Sequence, residues 1–357
     1  MNYRRILITG GAGFIGSSYA IWLAERLEGA RIVAVDNLKR RGAELNLPRL
    51  RSHGIEFVHG DIRNAEDLQL DAGEPEVIIE CSAEPSVLAG YGAASEYVVR
   101  TNLFGTANCL ELARRCRADV VFLSTSRVYP IALLNSIAVD ESAERFDIAD
   151  AQDLAGVSRE GVAETFPLNG ARSLYGATKL ASELLLHEYA DMYGIRAVIN
   201  RCGVVAGPWQ MAKVDQGVFA LWVAAHRLRL PLRYIGWGGG GKQVRDCLFI
   251  DDLCELLDVE LARIDELNGA TFNVGGGPEA SASLLETSRH CERITGNRLM
   301  IRSDPETRPG DVRLYIADNS LIHSRTGWKP RHGIEHSLSA IDRWIADNDA
   351  VRYLWES

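Results

Sequence analysis

The sequence predicts an α/β fold, a doubly wound parallel sheet with a smaller C-terminal α/β domain. Two observations carry that reading. From residue 5 to residue 201, short continuous apolar runs alternate with amphipathic stretches, as strands buried on both faces do between crossover helices. Right-handed crossovers turn such an alternation into a doubly wound sheet. The chain also has 357 residues, 46% hydrophobic and 24% charged, so it is globular and larger than one ordinary domain.

Each element has its own signal. Residues 5–9 (Arg-Ile-Leu-Ile-Thr) form the first strand, followed by a glycine cluster and a helix over 17–27. Runs at 31–36, 55–61, 77–81 and 120–124 supply strands two to five, with helical spacing at 102–115. Residues 130–170, rich in Asp, Glu, Ala and Ser, read as an insertion with one short helix and no strong strand. A helix over 180–193 and a strand over 197–201 follow. The glycines at 236–241 read as a flexible loop, and 248–251 and 270–274 as strands. These readings place a nucleotide-binding domain at 1–201, rejoined near 245–275, and a second domain at 202–357.

Net charge is −9 and the isoelectric point about 5.5, so nucleic acid is not an expected partner. No apolar run reaches the ~18 residues of a membrane span, and the first residues lack a leader's cleavage site. The seven cysteines are odd in number and lack Cys-x-x-Cys spacing, which predicts free thiols in a reducing cytoplasm.

The sequence Gly10-Gly-Ala-Gly13-Phe14-Ile15-Gly16 follows the first strand and opens a helix, and Asp36 ends the second strand. In that context the glycines form a dinucleotide fingerprint. Gly10 makes the tight turn, Gly13 lets backbone approach a pyrophosphate at the helix N-terminus, and Gly16 allows close helix–strand packing. Asp36 accepts ribose hydroxyls and repels a 2′-phosphate, which selects NAD over NADP; Lys39, Arg40 and Arg41 pull the other way. Asp61, after the third strand, is placed to accept from an adenine amino group. Tyr175 and Lys179 stand at i and i+4 on one helix face, where an ammonium favours phenolate. Ser124-Thr125-Ser126 ends the fifth strand, the sheet edge where doubly wound folds put their chemistry.

These motifs, with Thr101-Asn102, Val244-Arg245-Asp246 and Arg308-Pro-Gly-Asp311, resemble the extended short-chain dehydrogenase/reductases of the nucleotide-sugar epimerase group. Asn200 to Gln210, Lys213-Val-Asp-Gln216-Gly and Tyr234-Ile-Gly-Trp are similar to CDP-tyvelose (CDP-paratose) 2-epimerases. The resemblance implies Tyr175 as base, Lys179 as its electrostatic partner and ribose ligand, and Thr125 as the hydroxyl gripping the reacting sugar oxygen. It implies Arg245 and Arg308 on the diphosphate, with Gln216 also on substrate. Phe14, Ile15, Asn37, Ile62, Ala83, Asn102, Ser124 and Cys202 complete the implied NAD site. The implied reaction is C2 epimerisation of a CDP-linked deoxyhexose through a transient keto-sugar, with NAD regenerated in each turnover. A homodimer or homotetramer through the helices at 102–115 and 180–193 is also implied.

The pattern departs from relatives at Glu80 and Glu84, where His and Gln are common, and Glu84 is expected near the active site. Thr125 is followed by Ser126-Arg127, not by the Asp-Glu of 4,6-dehydratases, which argues against a dehydratase. Two alternatives stay open: a 4-epimerase or dehydrogenase of a UDP- or GDP-sugar, and a non-catalytic NAD-binding regulator. His332-Gly-Ile-Glu335-His336 mimics an inverted zinc-protease motif, but Gly333 puts His332 before the helix, so no metal is expected. Gly275-Gly-Gly277 reads as a turn.

Overall fold

The computed structural model describes residues 3–70, 73–92, 94–211 and 216–355; Lys213, Val214 and Asp215 of the substrate-side motif lie outside them. The chain divides into two compact units. The first takes residues 1–125, 174–201 and 254–271; the second takes 126–173, 202–253 and 272–357.

A seven-stranded parallel sheet organises the first unit. Its strands include β1 (Arg5–Thr9), β2 (Arg31–Asp36), β3 (Glu56–His59), β4 (Val77–Glu80) and β5 (Asp119–Thr125). Across the sheet the order is Ala270–Val274, Ala197–Cys202, β5, β4, β1, β2, β3. β1 pairs parallel with both β2 and β4, and the order reverses beside it, as a doubly wound sheet requires. Every residue of β5 is buried, as expected of a central strand covered on both faces. One apolar cluster packs Leu7, Val33, Ile78, Val120, Phe122 and Ile199 of the strands against Cys109, Leu110 and Ala113 of the helix Thr106–Cys116 and Leu186 of the long helix Leu174–Tyr193. The predicted helix over 102–115 has a seam, because Arg100–Gly105 winds as a π-turn before the α-helix begins at Thr106. Gly105 sits there because a Cβ would come within 2.5 Å of Ile62 Cδ1.

In the second unit, the strand expected at 248–251 starts earlier, at Val244, and stops at Phe249; Ile250 and Asp251 instead open the helix Ile250–Ala262. Acidic residues in that first turn suit the helix dipole, which the apolar run conceals from a pattern reading. The segment read as an insertion holds the helix Ile131–Asn135 and two small hairpins, Val139–Glu141 with Phe146–Ile148 and Val157–Ser158 with Gly161–Val162. Strands of two or three residues are too short to show an alternation. All seven cysteines are free; Cys81 and Cys116 are half-buried and the other five buried.

Candidate active site

The glycine loop is built by steric exclusion. Gly10 has φ +63°, and a Cβ there would lie 2.9 Å from the Cys81 carbonyl carbon and oxygen. A Cβ on Gly16 would come within 2.3 Å of Gly10 O. The loop leads into the helix α1 (Phe14–Ala24), whose N-cap, Gly13, brings no side-chain hydrogen bond. The first-turn N–H groups of a helix lack partners within it, so this end offers bare donors to an anion. Phe14 and Ile15 are half-buried beside it. The cradle is buttressed from below, where Asn46 Nδ2 donates to Ala12 O at 2.9 Å.

Asp36 ends β2 with its carboxylate held by backbone, Oδ2 accepting from Ala12 N at 3.1 Å and Oδ1 from Leu38 N at 2.8 Å. Burial raises its pKa, and these N–H groups oppose the rise. A cavity of about 310 Å³ follows, lined in part by Asn37, Gly60, Asp61 and Arg63. Asp61 accepts from Asn37 Nδ2 at 2.9 Å and pairs with Arg63. Burial pushes its carboxyl up, but the Arg63 and Asn37 hydrogen bonds outweigh that and bring it to about 2. Ile62 is buried.

Beyond β4, Asn102 works as a clamp. Its Oδ1 accepts from Glu84 N at 2.8 Å, while Nδ2 donates to Glu84 O at 3.1 Å and to Thr178 Oγ1 at 3.3 Å. Ser182 Oγ donates to Asn102 O at 2.9 Å. The loop holding Ala83 and Glu84 is thereby tied to the long helix. The Glu84 carboxylate turns onto its own loop and accepts from Ser86 N at 3.1 Å.

Tyr175 and Lys179 lie on the long helix, 9% and 1% exposed. Thr125 is the last residue of β5 and buried. The Lys179 ammonium lies 3.5 Å from Glu80 Oε2 and 4.0 Å from the centroid of the Phe122 ring. Ser124 Oγ donates to Glu183, which Arg201 also holds with a fork at 2.7–3.2 Å, all three being buried. Sequence reading missed Glu183, although its position four residues after Lys179 on the same helix face is a legible signal. Cys202 ends its strand buried.

The second unit gathers arginines. Arg245 is half-buried, with Nη2 3.1 Å from Asp311 Oδ1 and 2.6 Å from Val312 O. Burial pulls its pKa down to about 10; Asp311 opposes this, and Arg127 and Arg308 add like charge. Arg127, also missed, donates to Gly310 O at 3.1 Å, in the turn that follows Arg308. Asp246, beside Arg245, accepts from Gly277 N and Ala317 N, and burial carries its carboxyl up to about 6. A Cβ on Gly275 would lie 2.0 Å from its Oδ2, so the triple glycine wraps a buried carboxylate. Gln216 is half-buried at an isolated bridge position. His332 precedes the helix Ile334–Asp347 and pairs through Nδ1 with buried Asp252 at 2.8 Å.

A family model described as "NAD dependent epimerase/dehydratase family" matches residues 6–275. The chain belongs to that family. It is 29% identical over 351 residues to the CDP-paratose 2-epimerase of Salmonella typhi, covering 96% of this chain and 99% of the relative. It is 29% identical over 358 residues to a dTDP-glucose 4,6-dehydratase of Xanthomonas campestris, covering 96% and 93%. The solved UDP-glucuronic acid 4-epimerase of Bacillus cereus, in complex with UDP-glucuronic acid and NAD, superposes with a TM-score of 0.77 at 25% identity, covering 96% and 99%. The chain is therefore an NAD-dependent enzyme of the nucleotide-sugar epimerase/dehydratase kind. The side-chain-free cradle and the backbone-pinned Asp36 fit that cofactor. Among the described residues, no helix is long and apolar enough to cross a membrane.

Proposed function

We propose that this chain epimerises a nucleotide sugar, at C2 of a CDP-linked deoxyhexose, and retains its NAD between turnovers. One observation carries the epimerase reading: a buried Tyr175 and a buried Lys179 share the helix Leu174–Tyr193, while Ser126 and Arg127, with Arg127 committed to Gly310 O, stand where a dehydratase needs an acid–base pair. Bound NAD supplies reversible hydride acceptance. Tyr175 takes the hydroxyl proton as phenolate and returns it, with Lys179 stabilising the phenolate and Thr125 orienting the sugar oxygen. Gly10, Gly13, Phe14, Ile15, Gly16, Asp36, Asn37, Asp61, Ile62, Ala83, Asn102, Ser124 and Cys202 hold the cofactor. Arg245 and Arg308 take the diphosphate, since guanidinium forks match phosphate oxygens, and Gln216 contacts the sugar nucleotide. An intact base argues against a non-catalytic regulator.

The C2 assignment and the CDP preference are supported by the likeness to the CDP-paratose 2-epimerase. The likeness to a UDP-glucuronic acid 4-epimerase favours C4 chemistry on a UDP-sugar as the second reading. Incubation with a panel of CDP-, UDP- and GDP-sugars, followed by NMR of the sugar, separates them. Inversion at C2 of a CDP-sugar is expected; inversion at C4, or growth of reduced-nicotinamide absorbance with free NAD, overturns the assignment. Exposed Phe104, Leu184, Met192 and Tyr193 on the two predicted contact segments support a homo-oligomer, and the free thiols suit the cytoplasm.

A further inference from the structure

We infer that Glu80 is a positioning residue that keeps Lys179 protonated where the chain has buried it. The inference rests on the role given above to Lys179 and adds the group that makes that role workable.

Lys179 and Glu80 both have side chains only 1% exposed, with Nζ and Oε2 3.5 Å apart. Taking an ammonium out of water favours its neutral form unless a counter-charge is buried with it. The groups facing Lys179 come from four elements. β4 presents Glu80, and β5 presents the Phe122 ring, which attracts a cation without neutralising it. The helix Thr106–Cys116 presents Cys109, whose thiol burial holds well above its ordinary pKa and therefore uncharged. The long helix itself carries Tyr175 one turn before and Glu183 one turn after, and Glu183 is committed to Arg201 and Ser124. Among the described residues, Glu80 is the only ion-pair partner of Lys179.

Burial raises the pKa of the Glu80 carboxyl, and the Lys179 ammonium beside it opposes that rise. The two charges sustain each other, and the ammonium is then available to Tyr175 on the same helix face. Glu80 thus supplies the buried counter-charge to the Lys179 ammonium.

The test reads the lysine directly. The chain has five lysines, so carbon-13 labelling at the lysine ε position gives a short spectrum, with Lys179 assigned by Lys179→Met. In Glu80→Gln, Lys179 is expected to lose its proton at a pH lower by at least about one unit than in the unaltered protein. Glu80→Asp, which keeps the charge, is expected to restore most of that difference. The acid limb of the pH–rate profile is expected to move up in Glu80→Gln, because phenolate then forms without its cation, and back down in Glu80→Asp. An unchanged Lys179 titration in Glu80→Gln, or a shift to higher pH, overturns the inference. The unaltered protein gives an independent arm that does not depend on the variants folding: an ionised Glu80 carboxyl signal at neutral pH supports the pair, and a protonated one overturns it. If Tyr175→Phe retains full turnover, the assignment of the base fails, while the lysine titration still decides the role of Glu80.

Discussion

Tyr175 carries the largest burden of the proposed chemistry, and one atom tests it. Tyr175→Phe keeps the ring that packs at 9% exposure and deletes only the hydroxyl. Fold and bound NAD are expected to survive. Turnover, measured by NMR of the sugar product, is expected to fall by at least about 10²-fold, the low end for general acid–base catalysis. Near-native turnover would transfer the base to another group. The residues proposed to bear this chemistry stand in patterns that a sequence displays: Tyr175 and Lys179 one helical turn apart, Thr125 at a strand end, glycines before a helix. Glu80 was visible only as a departure from relatives. Its pairing with Lys179 joins positions 99 residues apart, and a contact of that separation leaves no local pattern.

The glycine loop shows how an element can be specified by what it excludes. Gly10→Ala forces a methyl to within about 3 Å of the Cys81 carbonyl and strains a backbone at φ +63°. The loop must shift, and it is the same loop proposed to present its amides to the pyrophosphate. NAD released on denaturing the purified variant is expected to fall well below one equivalent, with a loss of about 1–3 kcal/mol in stability by denaturant titration. Full NAD content in Gly10→Ala would mean the cradle is more tolerant than its sterics imply. The parallel strands of this unit were readable as buried apolar runs, but their order across the sheet was not. The strand Val244–Phe249 was not read correctly, because apolar Leu248, Phe249 and Ile250 span a strand end and a helix start without a break. The π-turn at Arg100–Gly105 was equally silent, being a fault in winding and not in composition.

Global stability carries a signature of buried carboxyl groups. Glu260 is wholly buried, with Asn200 Nδ2 donating to its Oε2 at 2.8 Å. Burial lifts its pKa to about 8, and the Asn200 hydrogen bond only partly opposes the rise. The folded value lies above the ordinary 4.5, so the favourable contribution is complete below that value and declines as pH climbs toward 8. Glu260→Gln keeps an acceptor for Asn200 and cannot ionise. Denaturant unfolding of the two proteins is expected to give similar stability near pH 4.5. A growing advantage for Glu260→Gln, on the order of a few kcal/mol, is expected by pH 8. Parallel pH profiles would show that Glu260 is ionised in both states.

The buried thiols have a use beyond packing. Five cysteines are shut away from solvent and none is tied in a disulfide, so the folded chain hides most of its reducing equivalents. Burial holds Cys247 at about 12, which leaves almost no thiolate for an alkylating reagent to find. Each molecule therefore carries its own clock: the pace at which those five sulfurs become alkylated counts how often the polypeptide breathes open, with no dye or tag attached.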